Sequence, residues 1–242
     1  MNYAVLLSGG TGNRINTDIP KQYVRVGNGK EPFSLMMVTY ALKPLLLNAN
    51  IDYVFIVANN EWRDSIITDV KDAGLDDSKI AGFADPGANR QSSIYNGIIK
   101  ILLSYYDGIS SVRDSDTVLV HDAARPFLTD QMVNDCYEAL PGHDGVMPVL
   151  PMKNTVYMSE DGRSISGLID RSKIFAGQAP ELFKLKQYFY ANMALLPDKI
   201  NTVNGANEPA IMAGMDVAMI PGDESNFKVT TDSDMERFRG II

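Results

Sequence analysis

Through the first 150 residues, short runs of apolar side chains alternate with longer stretches in which apolar and polar positions mix. The runs at residues 3–7, 53–58, 80–84, 117–120 and 145–149 have the length and composition of buried strands. Between them, residues 33–46, 61–73, 92–105 and 130–140 carry the spacing of helices lying on a sheet, with Asp130 as a plausible cap. Strands alternating with helices predict an α/β fold with a doubly wound, mostly parallel sheet. Ligands of such sheets gather at the carboxyl ends of the strands, so the residues after each strand are the ones to read.

The pattern changes after the fifth strand. Residues 155–158 and 164–169, joined by the turn Ser159-Glu160-Asp161-Gly162, predict a β-hairpin, which we read as a projecting arm of about residues 153–172. A helix near 182–196, a short one after Glu208, a strand at 216–220 and a last helix from Asp232 complete the chain.

Composition narrows the function classes. With 242 residues, 45% hydrophobic and 21% charged, the chain can bury a substantial core. Cys136 is the sole cysteine and His121 and His143 the only histidines, which excludes a disulfide and a cysteine or histidine metal cluster. The formal charge of −8 argues against nucleic acid and anionic membranes as partners. The apolar opening at residues 3–7 is too short for a membrane span and lacks the flanks of a signal peptide, so the cytoplasm is the expected compartment. Anionic substrates would have to be held by local clusters of Lys and Arg.

Such clusters occur at the strand ends. The first strand runs into Leu7-Ser8-Gly9-Gly10-Thr11-Gly12-Asn13-Arg14, followed by Pro20-Lys21-Gln22-Tyr23. Glycines at 9, 10 and 12 let backbone amides turn toward phosphate oxygens, and Arg14 and Lys21 add full charge beside them. The spacing is that of neither a P-loop nor a dinucleotide fingerprint. After the third strand, Gly87-Ala88-Asn89-Arg90-Gln91-Ser92-Ser93 opens a helix, with Arg90 and Ser93 as candidates at an anion-favouring terminus. The fourth strand ends in His121-Asp122-Ala123-Ala124-Arg125. There Asp122 is placed to hold Mg²⁺ or a substrate hydroxyl, Arg125 to brace Asp122 or reach phosphate, and His121 to pack. Lys228, in Asn226-Phe227-Lys228-Val229-Thr230, is a third cation for phosphates.

Taken in order, these blocks resemble the cytidylyltransferases that make CDP-methylerythritol and CDP-ribitol, a branch of the Rossmann-like nucleotide-diphospho-sugar transferase fold. The likeness spans nearly the whole chain as one cytidylyltransferase domain, 1–242. It implies that Leu7, Ser8, Gly9, Gly10, Thr11, Gly12, Gly87, Ala88, Arg90 and Ser93 bind the nucleotide. It implies catalytic roles for Arg14, Lys21, Lys228 and Asp122, with Mg²⁺ at Asp122. It further implies a homodimer whose exchanged arms bring Thr155 and Arg171 to join Asp122 and Arg125 around a polyol phosphate.

Three departures fall on the acceptor side. Gln178-Ala179-Pro180-Glu181 stands where members commonly have Gln-Thr-Pro-Gln, and Ala206-Asn207-Glu208-Pro209-Ala210 where they have Thr-Asp-Glu-Ala or Thr-Asp-Ala. Ala88 stands where an acid often follows the base-binding glycine. If both threonines bond the acceptor, each loss costs about 1.5–3 kcal/mol. Ribitol or glycerol phosphate is therefore the expected acceptor, and methylerythritol phosphate the second choice. A non-catalytic nucleotide-binding regulator and a nicotinamide-dependent reductase are the readings from other classes; the latter lacks a Tyr-x-x-x-Lys pair.

Overall fold

A computed structural model of the chain describes residues 1–10, 17–27, 34–203 and 205–242; Thr11, Gly12 and Arg14 lie outside the described residues. The strands in chain order are β1 (Asn2–Leu7), β2 (Arg25–Val26), β3 (Leu35–Met36), β4 (Tyr53–Val57), β5 (Ile80–Ala84), β6 (Thr117–Asp122), β7 (Gly145–Pro151), β8 (Val156–Met158), β9 (Gly167–Ile169), β10 (Phe175–Gly177), β11 (Glu181–Lys184) and β12 (Val217–Pro221). The α-helices are α1 (Met37–Leu47), α2 (Asn60–Asp72), α3 (Arg90–Tyr105), α4 (Asp130–Ala139), α5 (Leu185–Met193), α6 (Asn207–Met212) and α7 (Asp232–Ile241).

The main sheet runs β10-β7-β11-β6-β1-β4-β5, with β12 also on β7. β1 pairs in parallel with β4 and β6, β4 with β5, and β12 with β7. The order reverses beside β1, where the chain leaves toward β4 on one side and β6 on the other, and a ligand crevice is expected at that switch. Adjacent side chains of β1 go to opposite layers. Ala4 and Leu6 join the core packed by α1, α2 and α4, while Tyr3 and Val5 join the core packed by α3 and α5. A strand covered on both faces reads as an unbroken apolar run. α7 seals a third, smaller cluster, in which Phe238 meets Val229 and Met37.

Three expectations change, the first being that the helix expected over 33–46 begins at Met37, because Leu35–Met36 pairs with β2 as β3. The helix expected over 182–196 begins three residues later, because Glu181–Lys184 forms β11, antiparallel to both β6 and β7. Leu182 and Phe183 enter opposite cores, a period-two placement that is hidden when Leu185 follows directly. The unpaired edges of β6 and β7 need a partner, and this need overrides the local helical spacing. The cap of α4 is Thr129, whose side chain accepts from the Met132 amide, and Asp130 is the first helical residue. The expected hairpin forms as β8 and β9, antiparallel to each other in a sheet of their own, and most of its residues are exposed. Cys136 is a buried thiol of α4. No helix among the described residues is long and apolar enough to cross a membrane.

His121 is fully buried on β6, and its Nε2 lies 3.0 Å from the Arg125 carbonyl, which selects the neutral ring with hydrogen on Nε2. Burial lowers its pKa from 6.5 to about 4. A buried neutral histidine supplies stability that is complete above the unfolded value and is lost as pH falls toward the folded one. Chemical denaturation should therefore show stability falling by about 3 kcal/mol between pH 6.5 and 4 on account of this residue. His121→Gln should flatten that part of the profile; an unchanged slope in the variant would show that His121 is not its source.

Candidate active site

The carboxyl ends of β1, β5 and β6 lead into a cavity of about 480 Å³. Leu7, Ser8, Gly9 and Gly10 line it after β1; Gly87, Ala88, Asn89, Arg90 and Ser93 after β5; Asp122 and Ala124 at the end of β6. Lys21, Gln22 and Lys228 complete the wall. Every described residue read as nucleotide-binding is thus at one cavity, together with Lys21, Asp122 and Lys228.

The loops are held by their own side chains. Gln22 Nε2 donates to the carbonyls of Ser8 and Gly10, both at 2.6 Å, and Tyr23 Oη donates to the Ser8 carbonyl at 2.8 Å. Tyr23 in turn stacks on Trp62 with ring centroids 4.2 Å apart. A Cβ at Gly9 would meet Pro86 at 2.3 Å, and one at Gly87 would meet Ser92 at 2.4 Å. At Gly9 the loops after β1 and β5 touch, and at Gly87 the chain folds back onto the first turn of α3, so both positions admit only glycine. The Ser8 hydroxyl donates to the Val57 carbonyl at 3.0 Å. The Ser93 hydroxyl donates to the Asn89 carbonyl at 2.8 Å and accepts from the Gly87 amide at 3.0 Å. These serines therefore shape the cavity wall rather than reach into it. Asn89 caps α3, accepting from the Ser92 amide.

Charge is concentrated around Asp122. Its Oδ1 accepts from Arg90 Nε at 2.9 Å and its Oδ2 from Lys228 Nζ at 2.7 Å. Burial alone would raise this carboxyl, but Arg90 and Lys228 outweigh it and hold Asp122 ionised, far below the usual carboxylate range. Arg90 Nη2 also donates to Glu181 Oε2 at 3.0 Å. Burial opposes the Arg90 charge, and the two carboxylates more than restore it. Glu181 goes the other way: burial raises its pKa despite Arg90. Lys21 Nζ donates to the Val229 carbonyl at 2.6 Å, which ties the first loop to the segment carrying Lys228.

Among the described residues no group of three side chains forms a metal cluster. Asp122 is the carboxylate lining the cavity, and Mg²⁺ is commonly held by one or two carboxylates plus substrate phosphates. The donor set therefore fits an ion that arrives on a triphosphate better than a resident one.

The acceptor residues are more dispersed. Arg125 donates from Nη1 to the Asn226 carbonyl at 2.6 Å; burial lowers its pKa, and the charge of Asp122 opposes that shift. It borders a second cavity of about 410 Å³ with Lys153, Gln178, Glu224 and Phe227. The turn of backbone at Ala123-Ala124 carries it away from the first cavity: the Arg125 amide bonds back to the Asp122 carbonyl, and the Ala124 carbonyl is held by the Val229 amide. Thr155 and Arg171 lie exposed at the arm, with Arg171 Nη1 on the Lys153 carbonyl at 2.8 Å, and neither lines the first cavity of its own chain. Gln22, Asn89, Glu181 and Asn207 are site residues that the sequence did not mark as such. For Glu181 and Asn207 the available signal was their place in the two departing segments.

The family model described as IspD: 2-C-methyl-D-erythritol 4-phosphate cytidylyltransferase matches residues 3–242. A bifunctional enzyme IspD/IspF of Maricaulis maris is 30% identical over 240 residues, covering 97% of this chain and 55% of that protein. The chain thus spans about half the length of the bifunctional relatives it matches. A ribitol-5-phosphate cytidylyltransferase of Streptococcus pneumoniae is 28% identical over 244 residues, covering 100% of this chain and 99% of that one. A solved 4-diphosphocytidyl-2C-methyl-D-erythritol synthase from Anaerococcus prevotii superposes with a TM-score of 0.78 at 19% identity, covering 100% of this chain and 95% of that one. The Francisella tularensis 2-C-methyl-D-erythritol 4-phosphate cytidylyltransferase does so with 0.78 at 22%, covering 100% and 99%. These structures share the α/β fold described above. Matched over nearly its full length, the chain belongs to the 2-C-methyl-D-erythritol 4-phosphate cytidylyltransferase family, a family of nucleotidyltransferases.

Proposed function

We propose that the chain is a CTP-dependent cytidylyltransferase that converts a polyol phosphate of the ribitol 5-phosphate or glycerol phosphate type to a CDP-polyol and pyrophosphate. The observation that carries this reading is the single cavity where two glycine turns, Lys21, Lys228 and Asp122 meet at the carboxyl ends of parallel strands. The loss of two threonines, at Ala179 and Ala206, supports an acceptor other than methylerythritol phosphate.

In the proposed reaction an oxygen of the acceptor phosphate attacks the α-phosphorus of CTP. A new P–O bond forms there, the bond to the β-phosphate oxygen breaks, and pyrophosphate leaves with the electron pair. The nucleophile is already an anion, so no protein base is needed. The work is to bring two anions together and to stabilise the charge that moves onto pyrophosphate. Lys21 and Lys228, with Arg14, would do this, and the glycine-turn amides would hold phosphate oxygens. Magnesium, held at Asp122, would neutralise part of the triphosphate charge.

A homodimer is part of the proposal. Tyr157 and Leu168, cross-strand partners on one face of the arm, are 55% and 67% exposed, an apolar pair that a second copy of the chain would cover. Exchange of arms would carry Thr155 and Arg171 to the partner's cavity.

Three measurements test the reading. Pyrophosphate release should occur with CTP in preference to other nucleotides and should depend on a polyol phosphate; CTP binding without release under any acceptor would favour the regulator. In a folded protein, Lys21→Ala should lower kcat by at least about 100-fold, the scale of one preorganised stabiliser worth ~2.7 kcal/mol. Leu168→Asp should halve the mass seen by light scattering and raise KM for the polyol phosphate; an unaltered mass would remove the arm from the interface.

A further inference from the structure

Behind Arg90 lies a closed circuit of buried polar contacts. Glu181 opens β11 and is 7% exposed; its Oε2 accepts from Arg90 and its Oε1 accepts from Asn207 Nδ2 at 3.0 Å. Asn207 opens α6, and the carbonyl of the preceding Ala206 accepts from Tyr188 Oη of α5 at 2.7 Å. Gln91 Nε2 donates to that same Tyr188 oxygen at 3.2 Å, and Gln91 adjoins Arg90 in α3. Four elements thus meet behind one guanidinium, and Glu181 is the member of this circuit that touches it.

An arginine in the first turn of a helix opposes the dipole there, and its long side chain loses rotamer freedom when held. Asp122 and Glu181 together engage two of its three nitrogens, Nε and Nη2, which fixes the plane of the fork. A carboxylate buried beside a cavity that receives anions is costly, and a neutral side chain of like size would pack at lower cost. Its position is accounted for by the orientation it imposes.

We propose that Glu181, backed by Asn207, is a positioning residue of the cavity: it sets the Arg90 guanidinium, and through Arg90 the Asp122 carboxylate. The kinetic consequence rests on the cytidylyl-transfer reading, whereas the geometric one does not.

The test compares the full-length wild type with Glu181→Ala and Glu181→Gln. One readout is hydrogen exchange of the Arg90 Nε–H by ¹⁵N NMR, its signal assigned by loss in Arg90→Lys. The other is steady-state KM for CTP and for ribitol 5-phosphate or whichever polyol phosphate supports pyrophosphate release. Glu181→Ala should speed Arg90 exchange by about 10-fold or more, the scale of one charged hydrogen bond, and should raise KM both for CTP, through Arg90, and for the acceptor, through Asp122. Glu181→Gln keeps an oxygen for Arg90 Nη2 and should fall between, and it serves as the readout if the alanine variant does not fold. Unchanged Arg90 exchange, or unchanged KM for both substrates, would overturn the proposal. Absence of pyrophosphate release in the wild type would instead defeat the functional reading, and exchange would still decide the positioning role.

Discussion

The site is organised by one interaction, the Asp122 carboxylate clasped between Arg90 and Lys228. An ionised carboxylate taken almost wholly out of water is tolerated only when its oxygens are paired with good geometry, and here each oxygen has its own cation. The three residues come from the end of β6, the start of α3 and the segment before α7. Their pairing therefore joins parts of the chain more than a hundred residues apart, since Lys228 and Asp122 are separated by 106 positions. Arg90 and Lys228, two of the cations around the cavity, are thus held before any ligand arrives.

This arrangement explains how an acidic protein can offer a place to anions. The net charge of −8 is spread over the whole surface, whereas the cavity draws on Lys21 and Lys228 beside glycine-turn amides. Partly desolvated charges act more strongly at short range than distant surface carboxylates, which salt screens. Much of the precision lies in residues that do not themselves carry charge. Gln22 and Tyr23 fix the carbonyls of the first turn. Ser93 and Asn89 fix the second.

The β10–β11 segment has a role larger than its length suggests. Glu181 holds Arg90, while Ala179, two residues earlier, accepts from Asn226 Nδ2 at 2.7 Å, and Gln178 Nε2 donates to the Asp223 carbonyl at 2.9 Å. The same short stretch thus steadies both the helix start that supplies Arg90 and the loop that supplies Lys228. Antiparallel insertion between β6 and β7 is what brings it there.

The sequence by itself determined the alternation of elements, the parallel half of the sheet and the identity of the cationic and glycine-rich strand ends. These are local properties: a doubly covered strand needs an unbroken apolar run, a close backbone approach needs glycine, and bound phosphate needs Lys or Arg nearby. Tertiary structure alone decided that residues 181–184 are a strand, that Arg90 is shared by two carboxylates, and that Arg125 turns to the Asn226 carbonyl. Each of these depends on a partner distant in the chain. A strand edge, a buried carboxylate or a backbone carbonyl exerts its pull only after folding has brought it within hydrogen-bonding distance, and no local pattern records which partner that will be.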